Sequence, residues 1–264
     1  MSLSNFAVVA VCFLASLLGP LCGIGGGVII KPAVDAMGVL PVATVSFLSG
    51  VSVLTMALAT LAQNAASRTS DVDARAMLPL ALGSAAGGVA GKMAFNRLSA
   101  ALPSTELVGA AQAAVLIALT VVVGVYTVNK AQVRSLRVTG VAPKAGIGAA
   151  AGMLWSFLGI GGGPFNLAIL TFFFAMETKP AAQSSLFIIA LSQGASLVYS
   201  LALGGVPSFE PALLAGVCAA AVAGSVVGRK VARRVSSAVI DRLYLASLAL
   251  IALICAYNFV RFIS

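Results

Sequence analysis

The chain has 264 residues, of which 60% are hydrophobic and only 9% are charged, and its mean hydropathy is +1.08. Soluble globular domains carry about 25% charged residues, so this composition excludes a soluble protein and indicates an integral membrane protein. The net charge of +9 does not point to nucleic acid, because the basic residues of polytopic proteins gather in cytoplasmic loops. We therefore expect nearly the whole chain to lie in or beside a bilayer.

Eight long apolar segments follow one another, and a spanning helix needs about 20 apolar residues. The first residues lack the basic region of a signal peptide, so we expect them to belong to the mature protein. A polar connection divides the segments into two groups of four, which predicts a first transmembrane repeat at 1–128, a cytoplasmic linker at 129–144 and a second repeat at 145–264. The segments cover residues 5–38, 41–63, 76–91, 106–128, 145–176, 180–203, 211–228 and 240–262.

Two glycine runs interrupt the first segment of each group. Both read GIGGG, the first at Gly23–Gly27 and the second at Gly159–Gly163. Each glycine costs a helix about 1 kcal/mol relative to alanine, and non-helical backbone at membrane depth must be buried in protein or line a cavity. Glycines also allow close helix packing, but two complete runs at equivalent positions favour a functional turn in mid-membrane.

Weaker internal matches support a duplication. Gly83 and Gly91 pair with Gly216 and Gly224 at an offset of 133, whereas positions 44–46 match positions 183–185 at an offset of 139. Internal repeats of this kind are common in transporters. The sequence therefore predicts two structurally related halves.

The basic residues predict how the halves are oriented. If all eight segments cross once, seven basic residues lie on one side and nine on the other, whereas two hairpins that turn back at the glycines give twelve against four. Only the second arrangement agrees with the positive-inside rule. We therefore predict an all-α polytopic membrane protein of two inverted repeats, each a glycine-broken helical hairpin plus three transmembrane helices, with both termini outside.

The glycine turns predict an anion site. A helix that begins in mid-membrane has N–H groups without intrahelical partners and partial positive charge at that end. Two such ends that meet near the midplane would bind a small anion. The predicted backbone donors are at Gly25, Gly26, Gly27, Gly161, Gly162 and Gly163.

Polar side chains near the turns are further candidates. Lys31 either attracts an anion or forms an ion pair with Asp35, which lies four residues on. Asn166 after the second turn either donates to an oxyanion or ties the hairpin to a neighbour. Substrate contact is also predicted for four polar residues whose positions recur in the two halves, namely Thr44, Ser46, Gln183 and Ser185.

The motifs GIGGGVIIKPAVDAMG, LGIGGGPFNLAIL, GVAGK and AVAGS resemble those of the sulfite exporter TauE/SafE family of membrane permeases. The resemblance covers essentially the whole chain. It implies transport, usually outward, of sulfite, organosulfonates or related sulfur-containing anions. The second copy departs from the family pattern, because Pro164 follows the glycines directly, so the two halves of the site are not expected to be identical.

We expect a transporter of the cell inner membrane that works by alternating access. Asp35 and Glu177 are the carboxylates nearest the turns, so a proton-linked cycle would use one of them or a protonated substrate. A passive small-anion channel, a carboxylate permease and a structural subunit stay open. Enzyme activity is not expected, because the serines have no histidine to act as base.

Few partners besides the substrate anion are expected. The basic cluster at residues 229–234 predicts contact with anionic lipid, and a homo-oligomer stays open. No cofactor or metal is expected, because the chain has no histidine and its four cysteines lie in apolar segments without paired spacing. These are Cys12, Cys22, Cys218 and Cys255.

Overall fold

A computed structural model describes residues 3–23, 25–69, 72–101, 105–130, 132–203 and 205–263, so Ile24 of the first glycine run lies outside the described residues. The described residues form helices joined by short connections, which confirms the predicted all-α class. The helices are α1 (Leu3–Cys22), α2 (Gly27–Met37), α3 (Val42–Ala66), α4 (Ala74–Ala101), α5 (Thr105–Asn129), α6 (Val141–Leu158), α7 (Gly163–Phe174), α8 (Thr178–Ala202), α9 (Pro211–Ala232) and α10 (Ser237–Ile263).

Seven of the helices in the described part of the chain are long and apolar enough to cross a membrane. The exceptions are α4, which has 28 residues but is more polar, and the short helices α2 and α7 of 11 and 12 residues. At about 1.5 Å per residue the two short helices reach about half of the hydrocarbon core. The chain is therefore a multi-pass membrane protein. Its sixth helix begins at Val141, so the last four residues assigned to the linker are helical.

Both glycine runs break the helical path, and they do so with the same backbone conformation. The φ angles of Gly23, Gly25 and Gly26 are 64°, 72° and 67°, and those of the equivalent Gly159, Gly161 and Gly162 are 69°, 72° and 89°. Residues with a Cβ are strained in this region, whereas glycine is not. These three glycines of each run thus adopt matching φ angles at equivalent positions.

The half-helix α2 is almost entirely enclosed by protein. Eight of its eleven residues are buried, including the charged Lys31 and Asp35. Its last turn is capped by Arg261 of α10, which donates to the Asp35 and Ala36 carbonyl oxygens at 2.9 Å. A cation suits this end of a helix because the carbonyl groups there carry partial negative charge.

One end of the helix bundle gathers the beginnings of α1, α3 and α9. Asn5 of α1 donates to Glu210, and Thr44 of α3 donates to the carbonyl oxygen of nearby Ser208. We call this the Glu210 end. Since α2 ends only a few residues before α3 begins, the first hairpin starts and finishes at this end.

The opposite end, which we call the Asp241 end, gathers the beginnings of α8 and α10. Asp241 of α10 accepts hydrogen bonds from Lys130 and Thr178, and Lys144 of α6 donates to the Ala76 carbonyl oxygen of α4. The second hairpin, α6 with α7, therefore starts and finishes at this end.

Glycines bring α4 into backbone contact with α6. A Cβ on Gly83, Gly87 or Gly91 would overlap the carbonyl oxygen of a residue on α6, and a Cβ on Gly148 or Gly152 of α6 would overlap one on α4. The other half shows the same arrangement, since α9 glycines lie against the α1 backbone at Phe13 and Leu17. Small residues permit such close packing in membranes. The fourth helix of each half thus packs against the hairpin of the other half.

We predict that Gly87→Ala destabilises the protein, because the new Cβ would overlap the Ala149 carbonyl oxygen and force α4 away from α6. The expected loss in free energy of unfolding is about 1–3 kcal/mol. Gly124→Ala is the matched control, since no atom lies within 4 Å of its Cβ position. Thermal unfolding in detergent measures both variants, and equal stability of the two would contradict the prediction.

Candidate functional site

The structure brings the two glycine turns into direct contact. A Cβ on Gly25 would lie 3.4 Å from the Gly163 Cα, and one on Gly27 would overlap the Ile160 carbonyl oxygen. The described residues of both turns are buried, apart from Gly159, which is half-buried. The hairpin tips therefore meet inside the protein, at a distance that leaves no space for side chains.

Several N–H groups at the starts of the half-helices already have acceptors. The N–H of Gly27 donates to the Gly25 carbonyl oxygen, and those of Ile29 and Ile30 donate to the carbonyl oxygen of Gly26. In the second turn, Phe165 and Asn166 both donate to the Gly162 carbonyl oxygen. A bound anion would therefore compete for these donors or use the remaining ones.

A small polar cavity lies beside the second turn, towards the Glu210 end. We call it the Lys92 cavity; its volume is about 30 Å³, and Gly159 forms part of its wall. Ser46, Gln193 and Ser196 add polar groups. Three aromatic rings, of Phe47, Phe95 and Phe157, narrow it, and the Lys92 Nζ atom lies 5.1 Å from the centroid of the Phe95 ring.

A larger cavity of about 290 Å³ lies at the Asp241 end and contains three basic side chains. We call it the Arg229 cavity, and its other basic residues are Lys179 and Arg233. The Arg229 guanidinium donates to the Asn64 Oδ1 atom at 2.6 Å and to the Thr69 Oγ1 atom at 3.1 Å. These bonds fix one cation at the cavity wall, where it can attract an anion from solution.

The two cavities occupy equivalent places in the two halves. Helices α3 and α8 begin at Val42 and Thr178, which are separated by the same interval as the two glycine runs. At this interval equivalent positions line both cavities, namely the pairs Ser46 and Ala182, Phe47 and Gln183, Gly50 and Leu186, Ser156 and Pro20, Phe157 and Leu21, Ser196 and Thr60, and Ser200 and Asn64. Each hairpin therefore has one cavity beside its tip, and the two cavities lie towards opposite ends of the bundle.

Of the four polar residues predicted to contact the substrate, two line the cavities and two form hydrogen bonds to backbone carbonyl groups instead. Ser46 lines the Lys92 cavity and Gln183 lines the Arg229 cavity. Ser185 instead donates to the Gly23 carbonyl oxygen at 3.0 Å, and Thr44 donates to the loop before α9. The sequence match at an offset of 139 is thus not the structural register, in which Ser185 corresponds to Ser49.

Asn166 and Glu177 lie in different surroundings. The Asn166 Oδ1 atom accepts a hydrogen bond from Trp155 Nε1 at 2.8 Å, so this side chain ties α7 to α6. Its Nδ2 atom is buried and has no hydrogen-bond partner among the described residues. Glu177 is exposed at the start of α8, away from the contact between the turns.

Lys31 and Asp35 form a buried ion pair. The Lys31 Nζ atom lies 2.6 Å from Asp35 Oδ2, and the two residues are 2% and 7% exposed. The Lys31 Cδ atom is 3.2 Å from the Cβ position of Gly159, so its stem follows the second turn. The pair predicted from the sequence is therefore present, and its lysine is also next to the Lys92 cavity.

Sequence reasoning did not select Lys92, Lys179 or Gln193 as site residues. The signal for Lys92 is its position in the glycine-rich stretch GVAGK. An ammonium group within the membrane is energetically costly and usually has a functional role. Gln193 is one of several polar residues of α8, and nothing in the sequence separates it from the others. Lys179 is indistinguishable from an ordinary basic residue at the end of a helix.

The sequence profile of the sulfite exporter TauE/SafE family matches residues 8–254 of the chain. This match covers both hairpins, both cavities and nearly all of the helices that enclose them. Neither the curated proteins nor the solved structures give a match.

We predict that a cysteine placed at Gln183 reacts faster with an anionic than with a cationic methanethiosulfonate reagent, because the Arg229 cavity is positively charged. Arg229→Gln should lower that preference about 30-fold, since a charge at ~4 Å contributes about 1 kcal/mol in water and acts with opposite sign on the two reagents. Lys230→Gln is the matched control, because it removes the same charge from the exposed neighbour. The reaction rates are measured in detergent, and an equal effect of both variants would refute the assignment.

Proposed function

The chain belongs to the sulfite exporter TauE/SafE family, and from this premise we propose that it exports sulfite, an organosulfonate or a related sulfur-containing anion from the cell. The observation that carries the proposal is the pair of equivalent cavities, one beside each hairpin tip and towards opposite ends of the bundle. Alternating access requires one substrate region that faces each side in turn. A multi-pass protein with two such cavities meets that requirement.

We place the protein in the inner membrane as two inverted repeats. The first hairpin starts and finishes at the Glu210 end and the second at the Asp241 end, which supports opposite orientations. The Asp241 end carries most of the basic residues, including those at Lys130, Lys144 and Arg229, so it faces the cytoplasm by the positive-inside rule. Both termini then lie outside.

In this orientation the cavity that faces the cytoplasm is much larger than the one that faces outward, at about 290 Å³ against about 30 Å³. The larger space therefore lies on the side from which an exported anion is loaded. Lys179, Arg229 and Arg233 raise the local concentration of anions at the loading side. A multivalent positive surface there favours an oxyanion over a neutral solute.

Passage requires the two glycine turns to separate. A desolvated oxyanion costs several kcal/mol unless charged or hydrogen-bonding groups replace its water. Lys31, the hydroxyl of Ser46 and the amide of Gln193 supply such groups at the outer side of the contact, together with Lys92. The glycine N–H groups at the starts of α2 and α7 join them when the tips move apart.

The decisive experiment measures flux into proteoliposomes for sulfite, sulfate, taurine, sulfoacetate, methanesulfonate and matched carboxylates. We expect saturable transport of at least one sulfur oxyanion, with acceleration by the same anion on the opposite side. A carboxylate preference would reject the substrate class. Flux without this trans-stimulation would instead identify a channel.

The orientation has its own test in cells, in a background whose four native cysteines are replaced by alanine. Ser208→Cys at the Glu210 end should react with a membrane-impermeant maleimide in intact spheroplasts, because Ser208 is exposed and this end faces outward. Val133→Cys in the linker, which is also exposed, should react only after permeabilisation. The reverse pattern would overturn the proposed topology.

A further inference from the structure

The close packing of α4 and α9 defines which residues of these two helices are equivalent. In four of its contacts a glycine faces a backbone carbonyl group of the other half's hairpin, namely Gly87 with Ala149, Gly91 with Met153, Gly224 with Phe13 and Gly228 with Leu17. The hairpin residues are 136 positions apart, like the glycine runs, and the glycines are 137 positions apart. An interval of 137 therefore relates α4 to α9. It is about one helical turn longer than the offset of 133 predicted from the sequence.

At this interval Lys92 of α4 corresponds to Arg229 of α9. Each directly follows a glycine that is in backbone contact, and each lines the cavity named after it. Phe95 and Ala232, which line the same two cavities, are related by the same interval. Both basic residues are half-buried. The two cavities therefore have a cation at the same structural position.

The other basic side chains of the Arg229 cavity have no such counterparts. Lys179 and Arg233 are both exposed. At intervals of 136 and 137 they correspond to Ala43 and Asn96, which carry no charge. The cation that the two cavities share is thus the one contributed by the fourth helix of each half.

Neither Lys92 nor Arg229 forms an ion pair with a carboxylate among the described residues. The Lys92 Nζ atom lies over the Phe95 ring, and the Arg229 guanidinium donates to the neutral side chains of Asn64 and Thr69. Cations within the membrane region are costly and usually pair with an opposite charge. The described part of the chain does not supply that charge at either position, so the missing partner is a bound anion. Such an anion also favours the charged form of the ammonium group.

An unpaired hydroxyl group is independent evidence for an anion in the Lys92 cavity. Ser46 lines this cavity and is only 7% exposed. Its Oγ atom has no hydrogen-bond partner within the described ranges, although buried hydroxyl groups normally have one. An anion beside Lys92 would accept a hydrogen bond from this hydroxyl.

We propose that Lys92 and Arg229 are the two substrate-binding cations of the protein and that they bind the same anion in succession. Arg229 binds it at the Asp241 end, and Lys92 binds it before release at the Glu210 end. This inference rests on the proposed function, and it adds the charge of the substrate, which is a monoanion.

The charge follows from the surroundings of the Lys92 cavity. Lys31 lies beside this cavity but is neutralised by Asp35, and no aspartate or glutamate is among the described residues that line it. Lys92 therefore provides one unbalanced positive charge, which a monoanion neutralises. A dianion would leave a negative charge among the three aromatic rings, at a high desolvation cost. Hydrogensulfite and sulfonates meet this condition, whereas sulfate and fully deprotonated sulfite do not.

The two cations differ in geometry. A guanidinium group has five N–H donors in a planar fork, and Arg229 uses only two of its nitrogen atoms to bind Asn64 and Thr69. Its other N–H groups can bind two oxygens of a sulfonate group. Lys92 is a compact point charge without this fork. The shape of the anion therefore matters more at Arg229, whereas its charge matters at both positions.

Membrane vesicles of the two orientations test the cations separately, with radiolabelled methanesulfonate as the probe. Arg229→Gln should raise the KM about tenfold from the Asp241 side and less from the other side, because a hydrogen bond to a charged group is lost there. Lys92→Gln should show the reverse pattern. Lys230→Gln and Arg97→Gln, which remove exposed charges from the same two helices, are the matched controls. Changes no larger than those of the controls, or equal changes from both sides, would overturn the inference and leave the proposed function intact.

The charge-conserving variants Lys92→Arg and Arg229→Lys separate the role of charge from that of packing. Each should keep the KM within a few-fold of the wild type. A loss as large as that of the glutamine variants would show that these positions act through packing, and would overturn the inference.

The charge of the substrate is tested on the wild-type protein, so this measurement does not depend on how well a variant folds. Sulfite and methylphosphonate gain a second negative charge as the pH rises, whereas methanesulfonate stays a monoanion. The transport efficiency of the first two in proteoliposomes should fall about tenfold per pH unit above their second ionisation, while that of methanesulfonate stays constant. Transport of a dianion as efficient as that of the monoanion would refute the inference. If the wild type transports none of these sulfur oxyanions, the proposed function itself fails.

Discussion

The backbone contact between α4 and α6, with its counterpart between α1 and α9, is the constraint on which the structure depends. Glycines let these helices touch without side chains between them. The fourth helix of each half therefore packs against the hairpin of the other half. Neither half has a complete interior by itself. The two hairpin tips are consequently held against each other, since each is positioned by helices that belong to the opposite repeat.

This exchange of partners also explains where the cavities lie. Each hairpin has one long arm, α1 or α6, that is packed against a full-length helix, and one short arm, α2 or α7, that ends a few residues before the next helix begins. The space that the short arm leaves beyond its tip is lined by α3 or α8 and by polar residues of the long helices. Movement of one hairpin relative to its partner helices would enlarge one cavity and reduce the other. Packed helices can switch between two alternative arrangements in this way.

The sequence predicts the breaks at the glycine runs because few other residues fit a left-handed backbone in an apolar segment, and the ion pair of Lys31 with Asp35 because four-residue spacing on a helix brings side chains together. It does not predict which polar residues reach a cavity. Ser46 and Thr44 are two positions apart on α3, yet one faces the Lys92 cavity and the other a loop. That difference depends on helix rotation and on contacts across the bundle, which short sequence matches do not determine.

The two halves share a backbone but not their chemistry. Two turns of the same shape require only glycine at the turn positions, so both halves can keep the same backbone while their other residues differ. A charge in the membrane, in contrast, needs its own partner. Lys31 and Asp35 meet this condition because each neutralises the other, and Arg261 adds its charge at the carbonyl groups that end the same half-helix. With Leu167 and Thr171 at the equivalent places, the second half-helix needs no such compensation. The buried ion pair therefore belongs to the first half-helix, and the second hairpin supplies the surface against which the first hairpin packs.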